Sequence, residues 1–144
     1  MGSSARVTEL PRWAGSLLAG SRVGRLGLLD DDGAPRVLPV TYAISGESLV
    51  TAVDQKPKRL KGEQLARVRW ARARPGAALT VDRYEDDWSA LAWVQVLGSV
   101  RVRDAASSPE AMAALAERYE PYRSDPPAGP LLFLDPERLL WWHA

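Results

Sequence analysis

Apolar residues recur at helical spacing near the start of the chain and then switch to a period of two. In "TELPRWAGSLLAG", residues 8–20, Leu10, Trp13, Leu17 and Leu18 share one stripe, with Thr8 placed to cap the start and Gly20 the end. Residues 1–7 carry no such pattern and are expected as a flexible N-terminus. Two apolar runs then flank Asp30-Asp31-Asp32-Gly33, and a second turn signal follows at Ser45-Gly46-Glu47. This predicts three antiparallel strands joined by hairpins, at 22–29, 34–43 and 48–54. Pro39 removes one ladder donor from the second, which points to an edge or a bulge.

A helix with a modest apolar stripe (Leu60, Leu65, Val68, Ala71) follows and stops at Arg74-Pro75-Gly76. Strands at 77–85 and 90–104 flank the loop Asp86-Asp87-Trp88, and 107–122 reads as a helix capped by Ser108 with Pro109 at its first position. After a loop at 124–130, residues 131–144 read as one or two strands. Six strands and three marginal helices predict a mainly β fold, a closed or partly closed barrel with peripheral helices. The opening meander argues against a doubly wound sheet, and neither G-x-G-x-x-G nor G-x-x-x-x-G-K-[ST] is present.

The 144 residues suit one domain with a sizeable core, and 46% apolar with 26% charged residues is ordinary globular composition. The absence of cysteine excludes disulfides, thiolate metal sites and thiol nucleophiles, and His143 is the only histidine. No catalytic residue and no metal ligand is therefore assigned. No apolar run is long enough to span a bilayer and no signal-peptide pattern opens the chain, so a cytoplasmic protein is expected, whose reactive chemistry belongs to a bound cofactor.

Charge is distributed unevenly. From Lys56 to Arg74 the chain carries eight of its nineteen Lys and Arg residues and a single acid, Glu63. Lys56, Lys58 and Arg59 lie where a predicted strand ends and a helix begins, so they either converge on an anion with the positive end of the helix dipole or form a solvated helix start. Arg67, Arg69, Arg72 and Arg74 do not form one stripe; they read as surface, with Arg69 as a second anion contact. Without such a stripe, and with a net charge of +1, no specific nucleic-acid binding is expected.

Trp93 sits mid-strand and reads as core or subunit interface, whereas the loop residue Trp88 suits a planar ligand or a partner subunit. In "RVLPVTYA", Arg36, Leu38, Val40 and Tyr42 share one face, and Val37, Pro39 and Thr41 the other. Thr41 is polar on an otherwise apolar face and bonds either a ligand or a neighbouring strand.

Taken in order, "PRVLPVTYA", "VDQKPKR", "LTVDRYEDDW", "WVQVLGSVRV" and the late "DPERLLWW" resemble the split β-barrel flavin and deazaflavin oxidoreductases, a superfamily that includes pyridoxamine 5′-phosphate oxidase. The likeness covers roughly 8–142 and is closest to the actinobacterial branch of coenzyme F420-dependent enzymes. It implies a homodimer with cofactor sites at the interface and hydride transfer between F420, or FMN in its place, and a small organic substrate. A non-catalytic flavin- or deazaflavin-binding protein is the alternative. The resemblance places Lys56, Lys58 and Arg59 on the cofactor phosphate, the backbone of Pro39, Val40 and Thr41 along the tricyclic ring, and Trp88 or Trp93 in the partner's site. Trp70 and Ala71 stand near where members often carry an asparagine, and no full set of pyridoxamine-oxidase substrate residues is present.

Overall fold

The computed structural model describes residues 1–53 and 61–144, with the backbone alone for 61–65. The strands are β1 (Gly2–Ser4), β2 (Gly24–Leu29), β3 (Pro35–Val40), β4 (Ala43–Ser45), β5 (Ser48–Ala52), β6 (Gly76–Arg83), β7 (Ala92–Asp104) and β8 (Pro130–His143). The helices are α1 (Arg12–Gly20), α2 (Lys61–Ala73), α3 (Pro109–Arg118) and α4 (Glu120–Ser124). All pairings are antiparallel, in the order β3-β2-β6-β7-β8-β5-β4, with β1 added alongside β8.

The ends of that order explain the barrel. β3 and β4 lie at opposite ends of seven hydrogen-bonded strands, yet only Thr41 and Tyr42 join them. Laid flat, such a sheet would separate its edges by roughly 29 Å, whereas a two-residue link reaches about 11 Å. The sheet must therefore curl until its ends meet. The expected meander is corrected accordingly: β3 pairs with β2, β4 pairs with β5, and the 34–43 strand is cut at 41–42. The cut occurs where Tyr42, fully buried, turns inward and donates its phenol hydrogen to the Leu18 carbonyl. β3 is an edge strand, which accommodates Pro39.

Period-two alternation sends Leu26, Leu28, Leu38, Val40, Leu79, Val81, Val94, Val96 and Leu139 into the barrel, where Ala14 and Leu18 of α1 and Val68, Trp70 and Ala71 of α2 join them. A second, smaller core lies between β4, β5 and β8 and the helices α3 and α4, built from Val50, Leu131, Phe133, Leu115, Tyr119 and Tyr122. The long β7–β8 ladder slips between Leu97 and Gly98, which pair with Arg138 and Pro136 and leave Glu137 as the extra residue of a bulge.

The boundaries differ from the sequence reading at several places, among them the expected helix 107–122, which the extended Tyr119 divides into α3 and α4. Gly2–Ser4 form a strand where a flexible N-terminus is expected, because Gly2 lets the backbone lie against the Trp141 indole, 2.2 Å from where a Cβ would be. Thr8 belongs to a 3-10 turn (Val7–Glu9), and α1 begins after Pro11 with no side-chain cap. Ser108 precedes α3, but its hydroxyl bonds the Asp104 carbonyl instead of capping the helix.

Candidate functional site

β3 carries the residues that the sequence points to. Leu38 and Val40 face inward and are buried, while Val37, 67% exposed, and Pro39 face out. The strand pairs with β2 on one side only, so among the described residues its other edge presents unpaired main-chain groups beside an apolar outer face. A planar heterocycle with apolar faces and a polar rim matches those two features. The register extends this face across the sheet in rows: Val37, Gly27, Ala78 and Leu97 in one, and Pro39, Arg25, Thr80, Gln95 and Leu140 in the next. None of these residues is buried. Trp93 also points outward, opposite Trp142, so it belongs to this face and not to the inner core.

The link between the sheet's ends is held from α3 and α4. Thr41 Oγ1 lies 2.8 Å from Tyr122 Oη, and its carbonyl accepts a 2.6 Å bond from Thr51 Oγ1. Tyr119 Oη accepts from the Tyr42 N–H at 3.1 Å. Arg118 donates to the Tyr42 carbonyl at 2.7 Å and also to the Ser21 carbonyl. Burial pushes the Tyr42 phenol up, against the pull of the Arg118 charge, so it remains a donor. The Thr41 side chain thus bonds a tyrosine eighty-one residues away, while its carbonyl bonds Thr51 of β5. No pattern in "ERYEPY" announces that contact.

At the other end of β3, the Asp30–Gly33 turn grips α2. Asp30 Oδ1 accepts from the N–H groups of Asp32 and Ala34, and Gly33 closes the turn at φ +77°. That leaves Asp31 to take Arg69 bidentately, Nε to Oδ1 at 3.0 Å and Nη2 to Oδ2 at 2.6 Å. The bonds from Arg69 hold the Asp31 carboxyl below the usual aspartate range, and the carboxylate in turn raises the guanidinium. Arg69 is thereby paired within the chain, with Asp31 of the turn. Arg74 Nη1 adds bonds of 3.2 and 3.1 Å to the Asp30 and Asp31 carbonyls.

The other expected site residues are dispersed. Trp88 is 69% exposed on a 3-10 turn (Trp88–Ala90) that Asp87 caps by accepting from the Ser89 N–H. This turn joins β6 to β7 at the end of the barrel where β3 finishes. Pro35 starts β3 beside the aspartate turn and Val40 ends it opposite Gly24, so Thr41 and Asp31 are separated by the length of the strand, roughly 17 Å. Lys56, Lys58 and Arg59 lie outside the described residues. Among the described residues no helix is long and apolar enough to cross a membrane, and no three His, Cys, Asp or Glu side chains converge as a metal site.

No curated protein sequence matches this chain. Solved structures do share its fold. A heme-binding protein from Mycobacterium smegmatis is 22% identical with a TM-score of 0.69, over 88% of this chain and 51% of its own. This chain thus spans about half the length of that protein. A FAD-binding protein from Mesorhizobium loti is also 22% identical, over 92% and 94% of the two chains, with a TM-score of 0.64. An F420 reductase is 22% identical over 91% and 98%, with a TM-score of 0.67. At such identities the likeness shows the architecture. The family model of pyridoxamine 5′-phosphate oxidase, however, matches residues 14–136 of the sequence itself, through the barrel strands and helices α2 to α4, and the chain belongs to that family.

Proposed function

We propose that this chain is an oxidoreductase that transfers a hydride between coenzyme F420 and a small reducible organic substrate, and that it works as a homodimer. The observation that carries the reading is β3: an edge strand with open main-chain groups and outward Val37 and Pro39, in a chain of this family. The F420 reductase and the FAD-binding protein that share the fold support a flavin-type ligand. FMN is the second reading, because its phosphate offers the same anion to the same lysines.

When bound, the deazaflavin supplies the hydride chemistry. The chain's own residues position it. The backbone of Pro39, Val40 and Thr41 borders the ring, and the bonds from Tyr122, Tyr119 and Arg118 keep that backbone from shifting. Lys56, Lys58 and Arg59 hold the phosphate. The outer rows of β2, β3, β6 and β7 meet a second subunit, which excludes water from the ring and brings Trp88 to its partner's site.

Titration of F420 and FMN, side by side, into cofactor-free protein tests this reading. Lys56→Ala with Lys58→Ala removes two charge-assisted contacts of about 1.5–3 kcal/mol each, so affinity is expected to fall at least about a hundredfold. Arg12→Ala with Arg72→Ala removes the same charge from exposed positions and is expected to change it little. Equal losses in both pairs would show a diffuse field without a defined site, and unmutated protein that binds neither cofactor would overturn the reading.

A further inference from the structure

We propose that Arg118, with Arg22 beside it, makes the open edge of β3 favour the reduced form of the ring bound there; this rests on the function proposed above. Both guanidiniums lie at the link between the sheet's ends. Arg118 is half-buried, with its bonds on the Tyr42 and Ser21 carbonyls and its Cζ 4.9 Å from the centre of the Tyr42 ring and 5.3 Å from that of Tyr119. Arg22 Cζ stands 4.6 Å from the Tyr119 ring centre. Arg25, Arg36, Arg69 and Arg101 each approach an aspartate, whereas among the described residues Arg22 and Arg118 form no ion pair. A carbonyl satisfies a donor but carries no net charge, so the positive charge at the link is left uncompensated.

Tyr42 directly follows Thr41, so a guanidinium on its carbonyl lies within about 12 Å of a ring bordered by Pro39, Val40 and Thr41. A hydride carries two electrons and one proton, so a ring that accepts it gains one negative charge. A nearby cation stabilises that form over the oxidised ring. At about 12 Å and an effective dielectric constant of about 20, one unit charge is worth roughly a tenfold difference in affinity between the two forms. Burial of Tyr42 and Tyr119 limits the screening of Arg118 by water, while Arg22 is exposed and contributes less. The bonds from Arg118 to the link serve both forms alike, and only its charge tells them apart. Loss of a bond therefore weakens both affinities together, and loss of the charge changes their ratio.

The test measures Kd for the oxidised and the chemically reduced forms of FMN and of F420, without oxygen, in unmutated protein, Arg118→Gln, Arg118→Lys and Arg22→Gln. The phosphate is the same in both forms, so its contribution cancels from the ratio. Unmutated protein is expected to hold the reduced form roughly tenfold tighter. Arg118→Gln is expected to lower that preference about fivefold or more, and Arg118→Lys to keep it within about twofold. Arg22→Gln is expected to lower it about twofold at low ionic strength. A ratio unchanged by Arg118→Gln overturns the proposal even where both affinities fall, because the arginine then acts through its bonds alone. So does an Arg118→Lys that loses the preference as fully as Arg118→Gln. If Arg118→Gln does not fold, Arg22→Gln decides, since it breaks no bond to the link, and an unchanged ratio there overturns the proposal. Unmutated protein that binds neither cofactor in either form is a separate result, which removes the functional reading and this proposal with it.

Discussion

Arg118 Nη1 donates to the Tyr42 carbonyl at 2.7 Å, across seventy-six residues of sequence, at the point where the two ends of the sheet are joined. A second bond from the same guanidinium reaches the Ser21 carbonyl, so one side chain on α3 ties the link to the end of α1. Removing it leaves two acceptors without their charged donor. Arg118→Ala is expected to cost about 1.5–3 kcal/mol in urea unfolding, and Tyr119→Phe about 1 kcal/mol. A loss from Arg118→Ala below that of an exposed control such as Arg72→Ala would show that the link does not depend on it.

The bulge makes a sharper demand on one glycine. A Cβ on Gly98 would lie 1.9 Å from the Asp135 carbonyl oxygen, on backbone that cannot swing away. Gly98→Ala is expected to destabilise by about 1–3 kcal/mol through overpacking. At Gly20, in the last turn of α1, a Cβ meets nothing within 4 Å, so Gly20→Ala is expected to be neutral or to stabilise by up to about 1 kcal/mol. Thermal unfolding of both variants checks the contrast.

Asp135 introduces a pH dependence. It accepts both arms of Arg101 and the Ser48 hydroxyl at 2.5 Å, and these hold its carboxyl below the usual aspartate range, with Arg101 the larger cause. A folded-state value below the unfolded one means that the carboxylate's stabilisation is fully present above about pH 4 and is lost as pH falls through the folded value. Asp135→Asn is therefore expected to be less stable than wild type at pH 7, with the gap closing in acid. A gap independent of pH between 7 and 2.5, followed by chemical denaturation, would remove the charge from the explanation.

The outer rows of the sheet predict assembly. Val37 and Leu97 flank the small residues Gly27 and Ala78 in a row that continues to Arg138 of β8, which leaves an apolar strip uncovered on β3, β2, β6 and β7. Light scattering is expected to give a dimer of the 15.8 kDa chain at micromolar concentration. Val37→Glu with Leu97→Glu is expected to yield a folded monomer, since neither residue is buried. A monomeric wild type, or a dimer that ignores both charges, would overturn this face as the interface.

The sequence by itself determined the main strands and helices, the two faces of β3 and the family. Alternation in "RVLPVTYA" put Leu38 and Val40 on one face and Val37 and Pro39 on the other, because a strand's side-chain period is two whatever it pairs with, and the structure shows the first pair buried. Proline at 39 pointed to an edge or a bulge because a missing N–H is a local property, and the structure makes β3 an edge. Only the tertiary structure decided which strands are neighbours. The 41–42 break turns an expected meander into the closure of a barrel, through bonds from Tyr119, Tyr122 and Arg118, seventy-six to eighty-one residues away. It also decided that Arg69 serves Asp31, a pairing across thirty-eight residues that charge counting along the chain could not separate from a free cation. Periodicity reports what each residue presents to its own element; the identity of the partner depends on how the sheet curls, and that depends on all of its strands at once.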